Sequence, residues 1–160
     1  MAISQIVTNS IASGAVVQAD IASGVAGTGP AFSAYPSGTQ TFTSGTTTKV
    51  NFDTEEWDTN NNFASSRFTP TVAGYYQINA YMTAIYPGGE SALFIYKNGA
   101  QARTLLDIQG AYLYMLAGSS VIYCNGSTDY IEIYVYMQNG ATNYSGIGRT
   151  NFSGSMIRAA

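Results

Sequence analysis

From Tyr75 to Met82 the chain alternates without a break. Tyr76, Ile78, Ala80 and Met82 fall on one side, Tyr75, Gln77, Asn79 and Tyr81 on the other. A period of two is that of a β-strand. The run Tyr130 to Tyr136 behaves alike, with Ile131, Ile133 and Val135 set against Tyr130, Glu132, Tyr134 and Tyr136. In each run one side is core. The other is phenol and amide, with a single carboxylate. Such a face is too aromatic for ordinary exposure and too polar for an interior. It has the composition of subunit interfaces, which are enriched in Tyr and depleted of charge. Because every copy carries it, the pattern predicts a homo-oligomer, with Tyr75, Gln77, Asn79, Tyr81, Glu132, Tyr134 and Tyr136 in the contact. Glu132 would there meet an Arg of a neighbour or a cation. The alternative is that these rings pack beneath loops with their hydroxyls in water.

The same pattern predicts further strands over Ala31–Tyr35, Gln40–Thr43, Thr48–Phe52, Phe63–Phe68, Tyr75–Ile85, Ser91–Lys97, Ala102–Ile108, Tyr112–Cys124, Tyr130–Met137 and Phe152–Ile157. Turn residues separate them, at Pro36, Ser44, Pro87, Asn98–Gly99, Ala117–Ser119, Asn125–Gly126 and Asn139–Gly140. Short strands, frequent turns and Tyr with β-branched residues predict an all-β sandwich. Residues 1–30 differ. They are small, carry one charge at Asp20, and nearly repeat IASGAVVQAD as IASGVAGTGP. Isolated Ile and Val among Ala, Ser and Gly cannot bury themselves in one chain. The segment therefore reads as a short extended stem or anchor, with Ile3, Ile6, Ile11 and Ile21 as its contacts, or else as a flexible leader. Pro30 marks the boundary to a second unit, residues 31–160.

Composition narrows the chemistry. Of 160 residues only 9% are charged, and the net charge is −3 with no basic run; nucleic acid is not an expected partner. The absence of His removes the commonest general base near neutral pH and excludes a Ser-His-Asp triad. The single cysteine, Cys124, has no internal disulfide partner and reads as a small buried thiol. No signal-peptide pattern opens the chain and no apolar run reaches membrane-spanning length, so accumulation in the cytoplasm that makes it, without membrane insertion, is expected.

Phe52, Asp58, Phe63, Phe68, Gly74 and Tyr76 fall in the order of a known signature. It runs aromatic, Asn or Asp, aromatic, Phe, then Gly-x-Tyr. The segment resembles the C1q domain of the C1q and tumour-necrosis-factor superfamily. The gap from Phe63 to Phe68 is two residues short of that pattern, and Ile78 and Ala80 replace its later aromatics. Ala31-Phe32-Ser33-Ala34 is similar to the family's first strand, Leu93 to Gly99 to its middle hairpin, and Asn151 to Ile157 to its last strand. The resemblance covers residues 31 to 158. It implies a ten-stranded jelly roll and a tight trimer, with Gly74 allowing the turn into the central strand, Tyr76 filling the sandwich and Phe152 closing it. The leader resembles the Ile/Val-Ala-Gly segments that precede trimeric heads in bacteriophage fibres. Together the two resemblances imply a phage virion protein.

Other constellations are weaker. Asp53, Glu55, Glu56 and Asp58 read as an acidic turn. Asp58-x-Asn60-x-Asn62 matches the start of a calcium loop, but Phe63 stands at the sixth position and the closing Glu is missing. C1q-like trimers often bind calcium, so the resemblance leaves calcium open; a solvated turn is the plainer account. Asp53, Glu56, Asp107 and Glu132 offer carboxylates for a glycosidase, but nothing pairs them. Trp57, Tyr86 and Tyr144 adjoin turns and are candidate contacts for a sugar. The expected protein is a non-enzymatic, homotrimeric phage surface protein, either a capsid decoration or head fibre or a short tail fibre. Its N-terminus would dock on a capsid or tail protein. A host-receptor or glycan-binding adhesin is the alternative, and a polysaccharide depolymerase stands behind both.

Overall fold

The computed structural model describes residues 29–85, 88–110 and 115–160. The leader with Ile3, Ile6, Ile11 and Ile21, and also Tyr86, lie outside them. The described residues form an all-β jelly-roll sandwich of two antiparallel sheets.

In the first sheet a long central strand, β7 (Ala73–Ile85), is flanked on one side by β13 (Thr150–Ala159), then β1 (Ala31–Tyr35) and β4 (Thr54–Asp58). On its other side lies β10 (Met115–Asn125), with β12 (Ala141–Asn143) and β2 (Thr41–Phe42) beyond the end of that pairing. In the second sheet β11 (Ile131–Met137) pairs with β8 (Ser91–Lys97), which pairs with β9 (Ala100–Ile108). Beyond β11 lie β6 (Arg67–Phe68), its hairpin partner β5 (Phe63–Ala64) and the short β3 (Thr48–Lys49). The first and last strands pair antiparallel, Phe32 opposite Gly154.

The core follows the alternation. Tyr76, Ile78, Ala80 and Met82 of β7 point inward and are buried, as are Ile131, Ile133 and Val135 of β11. Aromatic rings fill the space between the sheets. Phe32 stacks on Phe68 at 4.4 Å and on Phe63 at 5.0 Å, and meets the edge of Phe152 at 4.8 Å. Such contacts each add about 0.5–1.5 kcal/mol beyond area burial. Tyr76 is buried and satisfies its hydroxyl by donating to the Val72 carbonyl at 2.6 Å.

Several expectations are corrected. There are thirteen strands among the described residues where ten were expected. The acidic stretch after Asp53 is not a turn but strand β4, paired with β1. It is an edge strand exposed along most of its length, so no apolar alternation marks it, and its charges suit an edge. Phe63–Phe68 is not one strand. It folds back between β5 and β6 at Ser65 and Ser66, whose φ values are 52° and 60°. No Gly or Asn announces this turn. It is held because the buried Ser66 hydroxyl accepts from Phe52 N at 2.8 Å and donates to Phe52 O at 3.1 Å.

Gly74 lies within β7 and makes no turn. A Cβ there would stand 2.5 Å from the Arg158 carbonyl, so the residue is small because β13 crosses it closely. Ala117–Ser119, expected as a turn, continues strand β10. A Cβ on Gly118 would stand 2.7 Å from Leu105 Cβ, and this contact draws β9 and β10 together along one side of the sandwich.

Candidate functional site

The outward face of the first sheet is built from cross-strand rows. On β7 the outward residues are Tyr75, Gln77, Asn79 and Tyr81. Opposite them on β10 stand Tyr123, Val121, Ser119 and Ala117. On the other flank, β13 sets Ser155 beside Gln77, Ser153 beside Asn79 and Asn151 beside Tyr81. β1 then adds Ser33 beside Ser153, and β4 adds Trp57 beside Ser33. A bulge in β13 between Met156 and Arg158 turns Ile157 outward as well.

This face mixes phenols and aliphatic groups with amides and hydroxyls and carries little charge. β1, β7 and β10 contain no Asp, Glu, Lys or Arg, and β13 contains one, Arg158, near its end; the carboxylates Glu55, Glu56 and Asp58 lie on the edge strand β4. Trp57, Tyr75, Met115, Val121, Tyr123 and Ile157 are all exposed on it, between 39% and 55%. Tyr75 and Tyr123 lean together with ring centroids 5.5 Å apart. Tyr81 donates to the Ile147 carbonyl, and burial, with Glu56 nearby, pushes its hydroxyl above the usual tyrosine range. Between Trp57 and Asn79 the floor is made of small residues, Ser153, Gly154 and Ser155, and a trough of about 230 Å³ opens there.

Met115, Val121, Tyr123 and Ile157 are absent from the sequence-level set. On β10 the inward row reads Leu116, Gly118, Ser120, Ile122, Cys124, so the polar break at its centre hides the alternation. Val121 and Tyr123 on either side of Ile122 carry the one signal that was available.

The predicted interface residues separate into two groups. Tyr75, Gln77, Asn79 and Tyr81 stand on the face just described. Glu132, Tyr134 and Tyr136 stand on β11, on the outward side of the opposite sheet. No flat contact can include both. The β11 side is largely covered by its own neighbours. Tyr134 stacks on Tyr96 at 4.0 Å, and the Arg67 guanidinium lies 3.8 Å from the Tyr130 ring centre. Glu132 is 3% exposed, and its cations come from its own chain: Lys49 Nζ at 2.7 Å and Arg67 Nη2 at 2.9 Å. Burial pushes this carboxyl up, but the hydrogen bonds and charges of Lys49 and Arg67 prevail and hold it below the usual range.

The acidic loop uses its own ligands. Asp58 accepts from Asn60 N at 3.1 Å and from Phe63 N at 2.7 Å. Asn62 Oδ1 accepts from Thr71 N at 3.2 Å, and its Nδ2 donates to the Asn60 carbonyl. Asp58, Asn60 and Asn62 thus brace the entry to β5. Among the described residues no cluster of three or more His, Cys, Asp or Glu side chains could hold a metal ion. Asp53 is held low by hydrogen bonds from the Ser37 hydroxyl and amide. Glu56 and Asp107 lie on β4 and β9, in different sheets. Tyr144 is exposed beside Arg149 at the end of the sandwich where β13 begins, away from Trp57. Cys124 is fully buried, and burial raises its thiol pKa to about 11.

The two sheets, their strand order and the pairing of first strand with last define a C1q/tumour-necrosis-factor-like jelly-roll domain. Solved structures with this fold include the globular domain of zebrafish complement 1qA protein, 18% identical with a TM-score of 0.57 over 82% of this chain and 99% of that one. Murine APRIL is 13% identical with a TM-score of 0.62 over 79% and 98%. The PRD1 vertex protein P5 is 15% identical with a TM-score of 0.53 over 81% and 97%. No family model matches the chain, and no curated protein matches it in sequence.

Proposed function

We propose that the protein is a non-enzymatic, homotrimeric component of a bacteriophage virion surface. The head of residues 31–160 would trimerise, and residues 1–30 would dock on a capsid or tail protein. The observation that carries this reading is the nearly uncharged outward face of β7, β10 and β13, on which Arg158 is the one ionic residue. Exposed rings and aliphatic groups in one contiguous patch on a folded domain mark an interaction site. With so little charge to keep it wet, another copy of the same surface region is its natural cover.

Geometry supports a head that projects from its base. Met156 N donates to the Pro30 carbonyl at 3.0 Å, and Ala160 N donates to the Ala73 carbonyl at 3.1 Å. Pro30 and Ala160 therefore lie at one end of the head, where β7 begins. The loops holding Pro36 and Gly146, joined by a 2.8 Å hydrogen bond, lie at the other end. A stem attached at the first end would turn those loops outward. The likeness to PRD1 vertex protein P5 supports a particle-surface setting.

Labelling particles with antibody to residues 31–160 tests the proposal. Gold on the surface of intact particles is expected. A chain lacking residues 1–30 is expected to keep its oligomeric mass in solution and to be left off the particle. Unlabelled particles, with all of the protein free in the lysate, would contradict the proposal.

A further inference from the structure

On the outward side of the second sheet, Glu132 gathers two cations on a single oxygen. Lys49 Nζ lies 2.7 Å and Arg67 Nη2 2.9 Å from its Oε1. Arg67 Nε also donates to that oxygen at 3.0 Å, and Lys49 donates to the Ser65 carbonyl at 2.9 Å. One proton of Lys49 and both of Arg67 Nη1 are left without a protein partner among the described residues. Two cations on one carboxylate leave an excess of one positive charge. It sits at the surface, because Lys49 and Arg67 reach water and Glu132 does not. Beside it stand the half-buried rings of Tyr130, Tyr134, Tyr96 and Phe94. We infer that Arg67 and Lys49 bind the carboxylate of an acidic saccharide, whose following rings lie along these aromatics toward β9.

The two cations are held in place from several sides. Arg67 follows the left-handed Ser65–Ser66 turn, which Phe52 pins through Ser66 and Lys49 through Ser65. Backbone kept in such conformations gathers at ligand clamps. The Tyr130 ring backs the guanidinium at 3.8 Å, so the fork is fixed in orientation as well as position. Charge selects the ligand. One excess positive charge matches one carboxylate, whereas a phosphate dianion would leave a negative surplus. The chain as a whole carries −3 and has no general attraction for polyanions. The surroundings suit a sugar. Tyrosine offers an apolar ring with a polar tip, and the exposed Thr104 and Gln101 of β9 continue the rows of Phe94 and Tyr96. From β6 through β11 and β8 to β9 is three strand spacings, about 14 Å. The site faces away from the first sheet, so it stays open whether or not copies cover that sheet, and it does not rest on the trimer.

Calorimetric titration of the full chain with galacturonate oligomers tests the site, with neutral galactose oligomers and inorganic phosphate as comparisons. Binding of the uronate oligomers is expected, weakening as sodium chloride is added. Arg67→Gln is expected to lower the affinity at least tenfold. Glu132→Gln is expected to raise it, because the carboxylate that competes for both cations is gone. An ion cluster with a structural role alone would lower Tm in both variants and strengthen binding in neither. Should Arg67→Gln fail to fold, Lys49→Gln keeps the Arg67–Glu132 pair and is expected to show the same loss of affinity. No binding of the uronate oligomers would overturn the proposal. Unchanged binding in a folded Arg67→Gln or Lys49→Gln variant would overturn the site. Galactose oligomers binding as well as the uronate would overturn the role of the carboxylate. Phosphate displacing the oligomers at equal concentration would overturn the saccharide and leave a general anion site.

Discussion

Replacing Glu132 by Gln removes one charge and keeps the side chain's shape. The carboxylate is 3% exposed and carries Lys49 and Arg67 within 2.9 Å. Deleting one partner of a buried ion pair costs about 3–5 kcal/mol when the orphaned charge stays buried. Here the Lys49 and Arg67 side chains are 26% and 42% exposed, so both cations keep access to water. That reduces the expected loss to about 2 kcal/mol, or about 4–8 °C in Tm for a domain of this size. The pH dependence makes the test specific. An unfolded Glu titrates near about 4.3, and in the fold Lys49 and Arg67 outweigh burial and hold Glu132 lower. Its contribution is therefore complete above the unfolded pKa and lost as pH falls through the lower folded pKa. Asp53 and Asp129 are also held low. They weaken both proteins equally in acid and cancel in the difference. Denaturant unfolding of the two proteins at pH 7, and again at about pH 2, should show the full gap at the first and a smaller one at the second. A gap of equal size at both would refute the ion-pair account, as would no gap at pH 7.

Ser66→Ala should destabilise by about 1–3 kcal/mol, because it strands the buried Phe52 amide, measured by the same unfolding curves. Gly74→Ala should be disruptive, since its Cβ would lie 2.5 Å from a backbone carbonyl; a variant with unchanged Tm would contradict the close crossing of β13. Cys124, buried and with its pKa raised to about 11, should resist a thiol reagent at pH 8 in the folded protein and react at once in denaturant. Asp58 already holds Asn60 N and Phe63 N, so Asp58→Ala should lower Tm whether or not chelator is present; a chelator effect confined to the unmodified protein would instead assign calcium to this loop.

Much of this fold is legible where one strand face is buried and the other is not. β7 and β11 declare themselves by alternation, and the aromatic order from Phe52 to Tyr76 points to the sandwich type. What stays hidden has physical causes. β4 lies at an edge and touches little of the core, so burial leaves no periodic mark on it. The Ser65–Ser66 turn is stabilised by a distant backbone, Phe52, and not by its own residue types. Gly118 interrupts the inward row of β10 because Leu105 of β9 presses on it. The interface reading meets the same limit. Alternation says which residues share a face of one strand; it does not say which sheet the strand joins. Tyr81 and Tyr134 look equivalent in sequence, and lie on opposite sides of the sandwich.

The central claim is that the nearly uncharged outward face of β7, β10 and β13 is covered by copies of the same chain. Light scattering of the full chain at micromolar concentration, beside a variant with Gln77→Glu and Val121→Asp on that face, tests it most directly. The account predicts the mass of three chains for the unmodified protein and of one folded chain for the variant. One chain for the unmodified protein, or three for both, would contradict it.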